Sequence, residues 1–183
     1  QIEALKLLIR DVKTCEFDCI LIAGDLTNAD LESPRVRVKH ARIIFDLLEG
    51  LKIPYYFVWG LPFRESSIVR GLRLWSLRIG EQMESLLSAL SYGKCLNDIE
   101  SEELDPYKLT CNPKLVDRNT IFLAHCYRKP LPALIQLDGH VHHGQLCKNY
   151  INLGFLFRDA EHNAPPLVGC YWILELHGYK VST

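Results

Sequence analysis

The residues best suited to bind a metal ion lie in one short segment, 137–144, which reads Leu-Asp-Gly-His-Val-His-His-Gly. Its three histidines, His140, His142 and His143, fall within four residues. If the backbone is extended, residues two apart share a face, so His140 and His142 point the same way. Two converging imidazoles suit zinc, manganese or iron. Taken alone, the segment could equally be a polar surface turn rich in histidine.

Composition and charge are those of a folded globular protein. The 183 residues are 48% hydrophobic and 23% charged, and 21 Lys and Arg nearly balance 22 Asp and Glu, so we expect no strong nucleic-acid binding. No apolar run approaches the roughly 20 residues that span a bilayer, and we expect no membrane association. Seven cysteines without a Cys-x-x-Cys pair favour a reducing, cytoplasmic location.

Two kinds of apolar pattern predict the elements that must position these residues. Helical spacing predicts helices at 1–13, 34–50 and 65–92, the last in two pieces about Gly80. Short apolar runs predict strands at 17–23, 54–59, 120–124 and 134–137, and we expect 17–23 to be buried on both faces. Weaker patterns predict strands near 107–111 and at 145–152, and a closing hairpin formed by 169–176 and 179–181.

Four candidate ligands share one position, directly after a predicted strand. They are Asp25, His125, His140 and His142. Strand ends in α/β sheets gather along one rim, where such proteins bind ligands. One carboxylate and three imidazoles suit a transition metal, or two metals that share the carboxylate. Two ions about 4 Å apart can activate water for phosphoryl transfer. Asp25 alone could equally cap a helix or form a turn.

The order of these motifs resembles the calcineurin-like metallophosphoesterase family, in particular its small prokaryotic members. Gly24-Asp25, His125 and Gly139-His140-Val141-His142 carry the resemblance, which covers most of 1–62 and 120–177. It implies a four-layer α/β sandwich of metallophosphoesterase type. It also implies that Asp25 bridges two metals, that His125 and His140 bind the second metal, and that His142 binds the first. These four residues would be both metal ligands and catalytic residues.

Two departures from the family pattern bear on activity. The family's opening Asp-x-His motif is absent, and we expect it, together with the first strand, to lie before Gln1. The family's Gly-Asn-His is replaced by Gly60-Leu61-Pro62. Leu61 cannot coordinate a metal and weakens the second site. Pro62 replaces a histidine that would help to protonate the leaving group.

The sequence therefore predicts a single α/β domain over residues 1–183, with a helical insert or cap at about 64–95. The expected function is hydrolysis of a small phosphate monoester or diester with two divalent ions, manganese, iron or zinc. The alternative is a catalytically impaired relative that serves as a binding or assembly scaffold. The apolar stripes of 65–92 are expected to pack in the core, and a cap over the site or a surface for homo-oligomer formation is the alternative.

Overall fold

The structure is a computed structural model that describes residues 2–27, 34–60, 77–141, 144–154, 156, 171–178 and 180–182. Its helices are α1 (Ile2–Val12), α2 (Pro34–Glu49) and α3 (Leu77–Ser88), and short 3-10 helices span Leu96–Asp98 and Pro113–Leu115. Its strands are β1 (Ile20–Ile22), β2 (Tyr55–Phe57), β3 (Gly93–Cys95), β4 (Glu102–Leu104), β5 (Tyr107–Thr110), β6 (Thr120–Ala124), β7 (Ile135–Asp138), β8 (Gln145–Cys147), β9 (Tyr150–Asn152), β10 (Glu175–His177) and β11 (Lys180–Ser182). The chain divides into two compact units, Gln1–Lys94 and Cys95–Thr183.

The first unit combines α1, α2 and α3 with a sheet whose strand order is β1-β2-β3. β1 and β2 are parallel, with Ile20 opposite Tyr55. α2 packs against both other helices. Its buried face holds the residues predicted from helical spacing, Ala41, Ile44, Phe45 and Leu48. The ring of Phe45 contacts Tyr55 and Phe57, so an aromatic core fixes the sheet against α2.

The second unit contains a six-stranded sheet in the order β4-β5-β6-β7-β9-β8. The central strands β5, β6, β7 and β9 are parallel, whereas β4 and β8 pair antiparallel at the two edges. Ala124 lies opposite Asp138, and Asp138 lies opposite Asn152. Three parallel strands therefore end at the same level, and the residues that follow them share one rim. β10 and β11 form a separate antiparallel hairpin.

These elements confirm the predicted α/β class, with parallel and mixed sheets of the kind found in α/β sandwiches. The helices predicted at 1–13 and 34–50 are α1 and α2. The strand predicted at 120–124 is β6, without change. The closing hairpin is also present, as β10 and β11, but its first strand is shorter than predicted, because residues 171–174 are not in a strand.

The first predicted strand is shorter and less buried than expected. The apolar run 17–23 predicted burial on both faces, whereas β1 spans only Ile20–Ile22 and each of its residues is half-buried. Among the described strands, β1 pairs with β2 alone, so it lies at an edge of its sheet. The prediction of full burial was wrong because an apolar run does not specify whether its strand is central or at an edge.

Two other predicted boundaries are wrong. α3 runs through Gly80, where a break was expected. A glycine within a helix costs about 1 kcal/mol relative to alanine, and burial of Met83 and Leu86 offsets that cost. Conversely, 145–152 is two strands, β8 and β9, rather than one. The turn between them includes Lys148 at a φ of 55°, and it lacks the Gly or Pro that would have marked it in the sequence.

Several predictions fall on residues outside the described part of the chain. These residues are 61–76, including Leu61 and Pro62, the histidines His142 and His143, and 157–170. The predictions of a single domain, of a cap and of an oligomer contact therefore stay predictions. No helix in the described segments is long and apolar enough to cross a bilayer. Each cysteine described, from Cys15 to Cys147, is a free thiol.

Candidate metal site

Two of the predicted histidines lie side by side on the rim of the six-stranded sheet. His125 directly follows β6 and is 5% exposed, and its Nε2 atom is buried. His140 is the second residue after β7. Their ring centroids are 5.2 Å apart, with the ring planes inclined at 65°. The parallel pairing of β6 and β7 brings these two imidazoles together.

His140 adopts a left-handed backbone conformation with a φ of 65°. The N–H of Val141 donates to the carbonyl of Gly139 at 2.8 Å, which closes a three-residue turn centred on His140. Such a conformation costs a non-glycine residue on the order of 1–3 kcal/mol, so surrounding contacts must hold it. The backbone is therefore not extended at His140. The expectation that His140 and His142 share a face, which assumed an extended backbone, does not apply there. His142, the second residue of that argument, lies outside the described residues.

Asp25 lies in the loop that follows β1. Gly24 and Asp25 both have positive φ, 85° and 50°, and aspartate tolerates this conformation better than most residues. The Asp25 side chain is exposed. Farther along the loop, the buried hydroxyl of Thr27 accepts a hydrogen bond from Nε of Arg37 at 3.1 Å. Arg37 lies on α2 and is 5% exposed, so a buried contact fastens this loop to the helix.

His125 and His140 form a pair that could hold a metal ion. Each offers one ring nitrogen, and these two atoms lie within 4.8 Å of each other. Ligand atoms on one zinc ion are about 2.0–2.2 Å from it, so two of them are at most about 4.4 Å apart. Closing the pair on an ion therefore needs only a small side-chain movement. Imidazole nitrogens are donors that zinc, manganese and iron accept.

A buried carboxylate that was not among the predicted ligands adjoins the histidines. Asp138 is the last residue of β7 and is 2% exposed. Its Oδ1 accepts the backbone N–H of Tyr127 at 3.1 Å. Burial raises the pKa of the Asp138 carboxyl, and hydrogen bonds from Tyr127 and Gln136 oppose that rise. The sequence did carry a signal, because an acidic residue ends an otherwise apolar run directly before Gly139.

Comparison with known proteins bears on the fold of the chain. No family model matches the sequence, and no curated protein matches it. The chain is similar in fold to the protein TT1561 of Thermus thermophilus. The crystal structure of that protein aligns with a TM-score of 0.54 and 11% sequence identity, covering 85% of this chain and 84% of that chain. At this identity the likeness supports the α/β fold alone.

Proposed function

We propose that the protein is a divalent-metal-dependent phosphoesterase of the calcineurin-like metallophosphoesterase family. Its substrate in this proposal is a small phosphate monoester or diester. The observation that carries the proposal is the pair of His125 and His140, whose ring nitrogens lie within 4.8 Å of each other at the ends of two parallel strands. The α/β fold and the order of the Gly-Asp, His and Gly-His-x-His motifs along the sequence support it.

Each ligand has a definite task in this proposal. Asp25 would be the ligand that two divalent ions share, His125 and His140 would hold one ion, and His142 would hold the other. Manganese, iron or zinc held there would supply the Lewis acidity that activates water and offsets the charge of the phosphate. The chain contributes the placement of the ligands. The parallel ends of β6 and β7 hold the first two histidines, and the contact of Arg37 with Thr27 holds the loop that carries Asp25.

A non-catalytic scaffold is the second candidate, and one feature of the sequence favours it. Leu61 and Pro62 stand where the family carries an asparagine ligand and a histidine. A leucine side chain has no donor atom for a metal, and loss of general acid help lowers a rate by about 100- to 10,000-fold. A protein of this kind would retain a metal through Asp25, His125 and His140 and would lack turnover.

Hydrolysis of a generic aryl phosphate tests the first candidate. Purified protein should cleave 4-nitrophenyl phosphate or its bis ester in the presence of Mn²⁺, Zn²⁺ or Fe²⁺, and EDTA should stop the reaction. His140→Ala should lower the rate by at least about 100-fold, because it removes a direct metal ligand. His177→Ala is the matched control, since His177 is exposed and lies on the β10–β11 hairpin.

The outcomes separate the two candidates. Metal-dependent cleavage that His140→Ala abolishes and His177→Ala preserves supports the phosphoesterase. Bound metal without cleavage of either ester contradicts the phosphoesterase and supports the scaffold. Cleavage that persists in His140→Ala would show that the activity belongs to another site or to a contaminant.

A further inference from the structure

The ends of β6, β7 and β9 are tied together by a network of hydrogen bonds beside the two histidines. Ala124, Asp138 and Asn152 are in register at these ends. Asp138 and Asn152 are both buried, each 2% exposed. Polar side chains at two adjacent strand ends are costly to bury unless they are hydrogen-bonded, so their contacts indicate what they do.

Asp138 and Gln136 fix the segment that follows His125. Oδ1 of Asp138 accepts the backbone N–H of Tyr127 at 3.1 Å, and Nε2 of Gln136 donates to the carbonyl of Tyr127 at 2.7 Å. Both side chains come from β7 and contact the same residue of the neighbouring chain segment. Both the N–H and the carbonyl of Tyr127, two residues beyond His125, are therefore hydrogen-bonded to side chains of β7.

Asn152 fixes the residue that precedes His140. Its Nδ2 donates to the carbonyl of Gly139 at 2.7 Å, and its Oδ1 accepts the N–H of Gly154 at 3.1 Å. The N–H of Gly139 donates to the carbonyl of His125 at 3.1 Å. Gly139 is therefore held on one side by the His125 backbone and on the other by Asn152.

These contacts bear directly on the left-handed turn at His140. A residue at a φ of 65° returns to an ordinary conformation unless its neighbours hold it. The carbonyl of Gly139 is the acceptor that closes the turn with Val141, and it is also the acceptor for Asn152. The N–H of Leu153, which follows Asn152, donates to the carbonyl of Asp138 at 2.7 Å, so the ends of β7 and β9 are also joined through the backbone.

We propose that Asn152 and Asp138 are positioning residues that hold His140 and His125 in the orientation needed to bind a divalent cation. The inference rests on the proposed function, because it takes both histidines as metal ligands. Removing the Asn152 amide frees the carbonyl of Gly139 and lets the turn at His140 relax, which moves the imidazole away from its partner. Removing the Asp138 carboxylate releases the segment behind His125. Groups that orient metal ligands in this way typically change metal affinity by about 10- to 100-fold.

Cobalt binding to the full chain tests this proposal, with Co²⁺ as the probe. The readouts are the dissociation constant from calorimetry and the visible d–d absorption spectrum, which reports the geometry of the ligands. Asn152→Ala should weaken Co²⁺ binding by about 10- to 100-fold and alter the spectrum. Asn152→Ser, whose side chain is too short to reach Gly139, should also weaken Co²⁺ binding. It replaces the alanine variant if that variant does not fold.

A matched control separates positioning from general destabilisation. Asn149 lies in the turn between β8 and β9, and its Nδ2 donates to the carbonyl of Ala133 at 2.8 Å. Asn149→Ala removes the same kind of bond away from the histidines and should leave the Co²⁺ affinity and spectrum unchanged. Asp138→Asn keeps an acceptor for the Tyr127 N–H, so it should retain more of the affinity than Asp138→Ala.

Three results would overturn the proposal. Wild-type affinity and spectrum in the Asn152 variants, together with lost binding in His140→Ala, would reject the positioning role and leave the metal site intact. Equal weakening of Co²⁺ binding by Asn152→Ala and Asn149→Ala would show that the effect arises from a general loss of stability. No Co²⁺ binding by the wild-type protein would reject the proposed function and this inference together.

Discussion

At the scale of single residues, two of the proposed metal ligands have a strained backbone conformation. Among the described residues, the non-glycine positions with positive φ are Asp25, Lys52, His140 and Lys148. Two of these four are proposed ligands. Left-handed conformations at such residues persist only when neighbouring contacts hold them, and they cluster at functional sites. At His140 the hydrogen bonds of Gly139 and Asn152 supply those contacts.

The sequence pointed to the candidate ligands but not to the residues that contact the segments around them. Asp25, His125 and His140 could be proposed as ligands because each follows an apolar run, and a strand end is visible in a sequence. Asp138 and Asn152 were not assigned to the site, because their role depends on the register between β7 and β9. Neither an apolar pattern nor a motif specifies which residues of two strands lie opposite each other.

Asp117 gives a pH-dependent prediction at the residue scale. A hydrogen bond from Lys108 at 2.7 Å, with others from Thr120 and from the N–H of Asn119, lowers the pKa of Asp117 to about 2. Because the pKa of an aspartate in the unfolded chain is about 3.9, the ionised carboxylate stabilises the folded state above about pH 4. That stabilisation is lost as the pH falls through the folded pKa. The side chain is 56% exposed, so the effect is below about 1 kcal/mol.

The measurement is urea unfolding of the wild-type protein and Asp117→Asn between pH 7 and pH 2. The variant should be less stable at neutral pH, and the difference in unfolding free energy should shrink as the pH falls below about 4. A difference that stays constant over this range would contradict the assignment of the lowered pKa to Asp117.

At the scale of secondary structure elements, one carboxylate joins the end of α2 to the start of β3. Glu49 accepts backbone N–H groups from Ser91, Tyr92 and Gly93 at 2.9–3.2 Å and the hydroxyl of Tyr55 at 3.0 Å. A negative charge in the last turn of a helix is unfavourable for the helix dipole. The hydrogen bonds of Glu49, and not an effect on the stability of α2, therefore explain its position.

Neutralising this carboxylate should destabilise the first unit. Glu49→Gln keeps the shape of the side chain and weakens its charge-assisted hydrogen bonds, so we expect a loss of about 1–3 kcal/mol in unfolding free energy. Tyr55→Phe removes only one of the bonds and should cost about 1 kcal/mol. Chemical denaturation of both variants measures these losses. A Tyr55→Phe loss as large as that of Glu49→Gln would assign the stability to the tyrosine hydroxyl instead of the backbone contacts.

Elements with a strong periodicity of apolar residues could be predicted, whereas elements that depend on turn residues or on tertiary packing could not. α1, α2 and β6 follow the apolar spacing closely. The hairpin of β8 and β9 was missed because its turn residues, Lys148 and Asn149, are neither glycine nor proline. α3 continues through Gly80 because tertiary packing outweighs the intrinsic helix propensity of one residue.

At the scale of the whole molecule, the alternation of apolar runs and helical segments was enough to predict the α/β class. The structural likeness to TT1561 of Thermus thermophilus agrees with that class. The strand order β4-β5-β6-β7-β9-β8 was beyond sequence reasoning, because β8 and β9 exchange places relative to chain order. That order places β7 between β6 and β9 and so brings together the strand ends of the proposed site.

The central claim is that Asp25, His125 and His140 bind a divalent ion together, and its most direct test is the metal content of the purified chain. Wild-type protein, His140→Ala and His177→Ala should be dialysed against the same free Mn²⁺ concentration, and bound manganese should be counted per chain by mass spectrometry. We predict at least one bound ion in the wild-type protein and in His177→Ala, and a marked loss in His140→Ala. No bound manganese in the wild-type protein, or equal content in all three proteins, would contradict the account.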